Sequence, residues 1–461
     1  MFRRCALVFE TQNEKDAVFG RLCVDYRENN FIDPHVYENY KIKRGLREPD
    51  GSGVMAGATR ICSVRGYIIE DGDRIPSPGQ LIYRGIDVNS LLKGYDAEGR
   101  CGFEEVVYLL LMGKLPSVEE LEEFKALLVS LRELPDHFTE DMIIKAPSRD
   151  VMNKMARSVL AMYSYDDNPD DISLENLLRQ ALMLIARLPI IAVQAYQVKK
   201  RHYDRESMYL HLPCEEYGTA ENFLHILRPD QKFTPEEARL LDACLILHAE
   251  HGAGNNSAFS TRVLSSTGTD TYAAISAAIG SLKGPRHGGA NLQVCRMMDD
   301  IKANVSDWTD EQEVQEYLCK ILRKEAGDGS GLIYGMGHAV YTLSDPRAVA
   351  LKQRAGALAK TKGMEEEFNL IALIEKLAPS AFAEVRGVDR IICANVDLYS
   401  GFIYRMLGIP TELYTPLFTI ARVAGWCSHR VEELSCGSKV IRPAYKFIGG
   451  KHLYVPLNNR K

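Results

Sequence analysis

The stretch LENLLRQALMLIARLPIIAVQAYQVK, residues Leu174–Lys199, decides how the chain is to be read. Its apolar residues recur at three- and four-residue spacing, the period of a helix with a buried face and not of a strand. Its apolar centre, 181–196, is interrupted by Arg187 and Pro189. That falls short of the ~20 apolar residues that a membrane span needs. The stretch therefore predicts a core helix, and a membrane is not an expected partner. The same spacing recurs over 103–112, 118–134, 235–250 and 271–282, and helices also fit 310–324, 346–358, 365–377, 398–407 and 416–433. Thr234-Pro235-Glu236-Glu237 is a helix opening, with a Thr cap, Pro at the first position and acids facing the helix dipole. Strand-like patterns stand near the two ends. Gly66-Tyr-Ile-Ile-Glu70, the turn signal Asp71-Gly72 and Gln80-Leu-Ile-Tyr-Arg84 predict a hairpin, and alternation around Gly449-Gly450 predicts another over 438–455. The first 50 residues predict one short helix and a basic run, 41–47. The expected fold class is mainly α, with short β-hairpins near the N-terminus and the C-terminus.

The chain has 461 residues, enough for two or three domains. With 46% hydrophobic and 26% charged residues it has ordinary globular composition, which argues against disorder. Lys+Arg 56 against Asp+Glu 62 gives a net charge of −6, so no nucleic-acid partner is expected. Eleven cysteines, odd in number and without a C-x-x-C pair, fit free thiols in a reducing compartment. The basic, briefly apolar N-terminus meets Glu10, Glu14 and Asp16 too early for a targeting peptide, so a cytoplasmic location is expected.

Chemistry near neutral pH points to the histidines. His35, His137, His202, His211 and His452 lie in polar surroundings and read as surface residues. His225 and His429 read as half-buried structural residues on helices. Three segments differ. In Leu247-His-Ala-Glu-His-Gly-Ala-Gly-Asn255, His248 and His251 share a helix face at three-residue spacing. They read either as a metal pair or as side chains capping free carbonyls at a helix end. Gly284-Pro-Arg-His-Gly-Gly-Ala-Asn291 and Tyr334-Gly-Met-Gly-His-Ala-Val-Tyr341 each set a histidine among glycines, where backbone or ligand can approach closely. Each also has an arginine near it, which suggests an anionic ligand. Asp397, in Asn395-Val-Asp-Leu398, follows the strand-like Arg390-Ile-Ile-Cys393 and reads as a helix cap or as the carboxylate of a site. Arg422 lies inside an apolar helix, 418–426, where its charge requires a carboxylate from the protein or from a ligand.

Together and in this order, these motifs resemble the active-site signatures of the citrate synthase family. The resemblance rests on 284–291, 335–340 with Asp345-Pro346-Arg347, and 395–397, supported by His248-Ala-Glu-His251, Tyr83-Arg-Gly-Ile-Asp87 and the helix around Arg422. It runs from about Gly66 to Pro443. It implies a citrate synthase-like two-domain helical fold, with a large domain of 1–287 and 402–461 and a small domain of 288–401 that closes over the site by induced fit. It implies the condensation of acetyl-CoA with oxaloacetate and hydrolysis of the citryl thioester, without a metal or a permanently bound cofactor; acetyl-CoA and CoA act as cosubstrate and product.

The resemblance makes Asp397 the base on the acetyl methyl group and His287 the donor to the thioester oxygen. His338 polarises the oxaloacetate ketone and protonates the alkoxide. His251, Arg347 and Arg422 become oxaloacetate ligands, joined by Arg442 from the partner subunit of a homodimer. A carboxylate with an unperturbed pKa of ~3.9 is a weak base, so the site must supply desolvation and donors. Gly335, Gly337 and Ala339 match the CoA-binding loop. Relatives carry basic residues at places held here by Ala339, Thr342 or Leu343, so Arg44, Arg47 or Arg286 would have to meet the CoA phosphates. A 2-methylcitrate synthase, using propionyl-CoA, shares all these motifs and differs by one methylene, worth ~1–3 kcal/mol of discrimination. A non-catalytic oxaloacetate-binding relative would need the arginines but not Asp397.

Overall fold

The structure is a computed structural model that describes residues 11–48, 52–70, 73–387, 391–437, 439–450 and 453–460. The chain divides into two compact units, Met1–Ala58 and Thr59–Lys461. In the first unit, helix Gln12–Asn29 is opened by a capping box in which the Thr11 hydroxyl accepts from the Glu14 N–H and Glu14 reaches back to the Thr11 N–H. This helix is 18 residues long and buries none of them, in place of the short helix that the sequence predicts. A five-residue helix, His35–Asn39, and a single 3-10 turn, Arg44–Leu46, complete the described part of the unit.

The second unit is helical except for one small antiparallel sheet, β1 (Cys62–Glu70), β2 (Asp73–Tyr83) and β3 (Ile86–Asp87). The predicted N-terminal hairpin is present, its register running from Cys62 opposite Tyr83 to Glu70 opposite Asp73 with a bulge between Arg65 and Tyr67. The predicted turn pair Asp71-Gly72 lies outside the described residues. Leu174–Lys199 is one helix of 26 residues, and most of its apolar side chains are buried in the chain's own core, Pro189 included. Around it pack Val118–Ser130, Val151–Ala161, Thr219–Leu227, Thr271–Lys283 and Tyr414–Ser435; Pro235–His248 lies against Tyr414–Ser435 and Val396–Met406, and Trp426, Tyr404 and Tyr399 are enclosed. Helices Phe103–Met112 and Leu174–Lys199 have the bounds that the sequence predicts, most of the others differ by a few residues at one or both ends, and the one predicted over 365–377 runs on to Arg386.

Two expectations fail. The described part of 438–455 contains no strand. Alternation alone does not make a hairpin stable, because two strands need a further strand or helix to cover one face. Here the alternating residues face solvent, with Tyr445 94% and Leu453 93% exposed. Likewise Ile391–Cys393, read as strand-like together with Arg390, forms no strand, and Arg390 itself lies outside the described residues. One isolated bridge, Met336 with Ala394, replaces it.

The hairpin has a direct bearing on the rest of the unit, because the segment 340–346 lies on it. A Cβ on Gly66 would stand 2.3 Å from the Val340 oxygen. One on Gly79 would stand 2.2 Å from the Ser344 oxygen and 2.6 Å from the Tyr341 ring. Ser344 Oγ also accepts from the Gly79 N–H, at 3.2 Å, and the Tyr341 hydroxyl reaches the Gln80 oxygen at 3.4 Å. Gly79→Ala is therefore expected to lower stability by ~1–3 kcal/mol, the usual cost of overpacking, and to reduce kcat by displacing the segment that follows His338. Urea unfolding and steady-state kinetics on the same preparation check both effects.

Candidate active site

Three loops and two helix starts converge. The first loop follows helix Pro235–His248. Tyr83, fully buried on β2, holds it: the hydroxyl accepts from the Glu250 N–H at 3.3 Å and lies 3.0 Å from the oxygens of Ile246 and Glu250. His248 and His251 part company here. The His248 ring stacks on Phe418, centroids 3.7 Å apart, and neither of its nitrogens has a hydrogen-bond partner. Its backbone oxygen, not its ring, serves the site, by accepting from Arg422 Nε. Among the described residues no three His, Cys, Asp or Glu side chains gather as metal ligands would. His251 faces the other way, 5.1 Å from the His338 ring and 5.6 Å from that of Tyr341. Burial, then the charges of Arg347, His338 and Arg422, hold the His251 ring well below the ordinary imidazole pKa.

The second loop carries His287. Gly288 is required by close packing, since a Cβ there would stand 2.3 Å from the Leu282 oxygen, and the Gly288 oxygen accepts from Thr415 Oγ1 at 2.9 Å. His287 Nε2 lies 3.1 Å from Ser257 Oγ. That hydroxyl also receives the Trp426 indole N–H at 3.1 Å and donates to Asn255 Oδ1 at 2.9 Å. Burial, followed by the Arg422 charge, pushes the His287 pKa down to about 4, so the imidazole is uncharged at neutral pH. Such a ring carries one proton, and Ser257 decides which nitrogen holds it. With the hydroxyl proton on Asn255 Oδ1, Ser257 accepts from His287 Nε2–H; turned from Asn255 to Nε2, the hydroxyl leaves Nδ1 as the donor.

The third loop carries His338. Gly335 and Gly337 have φ of 83° and 89°, and a Cβ on Gly335 would meet Leu398 at 2.9 Å. The loop is laced to the segment before Asp397. Gly337 N–H donates to the Cys393 oxygen, Asn395 N–H to the Gly335 oxygen and Asn395 Nδ2 to the Gly337 oxygen, all within 2.8–2.9 Å. His338 Nδ1 accepts from the N–H groups of Val340 and Tyr341 at 3.1 and 3.2 Å, and the ring stacks on Tyr341. With Nδ1 an acceptor, the ring proton sits on Nε2, which lies 3.4 Å from Arg347 Nη2. Two donors thus stand side by side, as a bound oxygen atom would need.

Both arginines are buried. Arg347 stands in the first turn of helix Pro346–Thr361, where Asp345 caps the helix and grips the guanidinium with both oxygens, Nε–Oδ1 3.0 Å and Nη2–Oδ2 2.7 Å. Burial alone would lower the Arg347 pKa, but the Asp345 carboxylate raises it above the usual value. Arg422 has no ion-pair partner among the described residues, although it is 2% exposed. Burial lowers its pKa, Glu250 opposes that, and Arg347 reinforces it. Asp397 stands in the first turn of Val396–Met406, but it is not the cap. Asn395 is, accepting from the Asp397 N–H at 3.0 Å. Burial pushes the Asp397 pKa up to about 6, against the pull of Arg347 and Arg422.

Of the residues singled out in the sequence, the structure draws His251, His338, Arg347, Arg422 and Asp397 into mutual range, with His287 within the field of Arg422. Ala339 and Arg286 are exposed beside the histidine loops. Arg442 stands apart, exposed on the C-terminal tail one residue after Ile441, whose N–H donates to Ser266 Oγ. Sequence reading missed Ser257, Tyr341 and Glu250. It also misplaced His429, which is fully buried and paired with Glu250 at 3.0 Å. Only the apolar run around His429 offered a signal.

Comparison with known proteins gives this arrangement its class. The family profile "Citrate synthase, C-terminal domain" matches residues 50–444. The chain is 34% identical to a citrate synthase of Synechocystis over 92% of its own length and 95% of that protein's. It is also 34% identical to one of Haloferax volcanii, over 91% and 99%. The crystal structure of citrate synthase from Thermotoga maritima matches with 31% identity and a TM-score of 0.70, over 91% of this chain and 99% of that one. The citrate synthase of Thermoplasma acidophilum, solved as a ternary complex with carboxymethyl coenzyme A and oxaloacetate, matches with 27% identity and a TM-score of 0.73, over 91% of this chain and 99% of that one. The chain belongs to the citrate synthase family. It is an enzyme of the transferase type with that family's mainly α fold.

A carboxyl group whose pKa rises on folding binds its proton more tightly in the native state, so it costs stability above its folded pKa and costs little below its unfolded one. Asp397→Asn is expected to raise the melting temperature at pH 7, and the gain is expected to shrink as the pH falls through 6 towards 4. Thermal unfolding at a series of pH values checks the sign.

Proposed function

We propose that this cleft carries out the citrate synthase reaction with the residues described, acetyl-CoA and oxaloacetate being the substrates. The observation that carries the assignment is the paired donors, His338 Nε2–H and Arg347 Nη2, set 3.4 Å apart beside His251 and near a carboxylate raised to about 6. Oxaloacetate is a dianion with a ketone to activate. Arg422 and Arg347 supply fixed positive charge for its carboxylates, with His251 as a further ligand. The His338 proton faces the ketone oxygen, where negative charge develops on attack.

Asp397 removes a proton from the acetyl methyl carbon while His287 donates to the thioester oxygen, which gains charge as the enol forms. The methyl carbon then bonds to the ketone carbon, and the alkoxide takes the proton from His338 Nε2. Water finally cleaves the citryl thioester to give citrate and CoA. Gly335, Gly337 and Ala339 are the CoA-side surface, and Arg286, exposed beside His287, is the cation nearest in sequence for its phosphates. No step requires a metal or a resident cofactor. Closure of 288–401 over 59–287 and 402–461 would exclude water from the enol. A reducing compartment such as the cytoplasm suits the ten described cysteines, all free.

Asp397→Ala is expected to abolish thiol release from acetyl-CoA while leaving oxaloacetate binding largely intact. Loss of oxaloacetate binding together with activity would move Asp397 out of the role of base. In the parent, kcat/KM should rise with pH through about 6 as Asp397 ionises, with no contribution from His287, whose pKa lies near 4. Offering propionyl-CoA in the same assay separates the two acyl substrates, and acetyl-CoA is expected to give the higher kcat/KM.

The site takes Arg442 from a second copy of the chain in this reading. The support is the exposed tail, where Val440, Tyr445, Phe447, Leu453 and Tyr454 stand in solvent with their apolar faces uncovered. Co-expressing Asp397→Ala with Arg442→Gln should restore activity in the hybrid dimer, because one of its two sites is then intact. Two inactive parents and an inactive hybrid would place Arg442 in its own subunit's site or outside any site.

A further inference from the structure

Behind the substrate ligands lies a buried polar chain that the reaction does not use. Glu250 is fully buried between His248 and His251. Its Oε1 is 3.0 Å from His429 Nε2. His429 Nδ1 in turn accepts from Arg262, at 3.2 Å from Nε and 2.8 Å from Nη2. A guanidinium only donates, so Nδ1 carries no proton and the ring gives its Nε2–H to Glu250. Arg262 is itself anchored by Glu433 Oε2 at 2.7 Å and by Glu432, whose other oxygen accepts from the Arg60 N–H at 2.8 Å. The remaining Glu250 oxygen, Oε2, has no hydrogen-bond partner. It lies over bare backbone, since a Cβ on Gly425 would stand 2.1 Å from it. Gly425 is three residues beyond Arg422, one turn along the same helix.

A buried carboxylate with an oxygen unused is costly unless a cation in range repays it. Arg422 is that cation: it has no ion pair of its own among the described residues, and after burial Glu250 is the largest influence on its charge. We propose that Glu250, held ionised by the His429–Arg262 chain, is the resting counter-charge of Arg422 and a positioning residue that sets the affinity for the dianionic substrate. The proposal rests on the assignment of Arg422 to oxaloacetate made above. With the cleft empty, Glu250 keeps the guanidinium charged and oriented. When a substrate carboxylate arrives it shares that cation with Glu250, so part of its attraction is already spent. The device weakens binding of substrate and product alike, which favours release of a tightly held polyanion.

The test is calorimetric titration of oxaloacetate, without acetyl-CoA, into the full-length protein. Glu250→Gln keeps the shape and an acceptor for His429 but removes the charge, and is expected to lower the Kd by about tenfold, equivalent to ~1.4 kcal/mol. His429→Leu deprives Glu250 of its donor, so that the buried carboxylate takes up a proton; it is expected to tighten binding in the same direction. His429→Gln offers an amide to Glu250 and a carbonyl oxygen to Arg262, and is expected to restore the parent Kd. A merely structural role predicts weaker binding or none in every variant. Unchanged or weaker binding by folded Glu250→Gln overturns the proposal. Where that variant does not fold, the same result for His429→Leu overturns it. Arg422→Gln separates the two readings: undiminished oxaloacetate binding there refutes the assignment of Arg422, and with it the premise, whatever Glu250 does.

Discussion

The burial of Arg422 constrains the rest of the second unit. A guanidinium at 2% exposure inside an apolar helix is stable only where its charge is answered. The fold answers it in parts. The His248 oxygen at the end of helix Pro235–His248 receives Nε, Phe418 lies under the guanidinium at 5.6 Å, and Glu250 supplies the nearby negative charge. The same cation bears on His251, His287 and Asp397 and lowers the pKa of each, although burial is the larger influence on all three.

The histidines show how tautomers are fixed by neighbours that carry no chemistry themselves. Two backbone N–H groups fix the proton of His338 on Nε2, and a serine hydroxyl shared with Trp426 governs that of His287. In both cases the supporting group lies on a different element from the histidine or in a loop seated on one. The hairpin glycines Gly66 and Gly79 matter for this reason. They let the segment after His338, with Tyr341 stacked on the histidine ring, lie directly against the hairpin.

The helical framework was legible where burial follows apolar periodicity, as in Leu174–Lys199 and Phe103–Met112. It was not legible over Asn256–Ser265, because that helix turns polar residues inward. Ser257, Thr261 and Ser265, spaced by four, are buried along with Arg262, and a scale of apolar spacing cannot register them. The helix that carries both the His287 partner and the His429 partner was therefore missed. The C-terminal hairpin failed for the opposite reason: its alternation is present, but nothing in the described chain covers either face.

What the sequence determined by itself was the set of candidate groups and the order in which they occur. Glycine-flanked His287 and His338, Asp345-Pro346-Arg347 and Asp397 are local patterns, and they need no neighbour to be noticed. Only the tertiary structure decided which groups meet and in what protonation state. His248 and His251 are three residues apart, yet one stacks on Phe418 while the other faces His338. Glu250 and His429 are 179 positions apart and share a hydrogen bond. Protonation depends on burial and on charges brought from distant elements, and those exist only once the chain is folded.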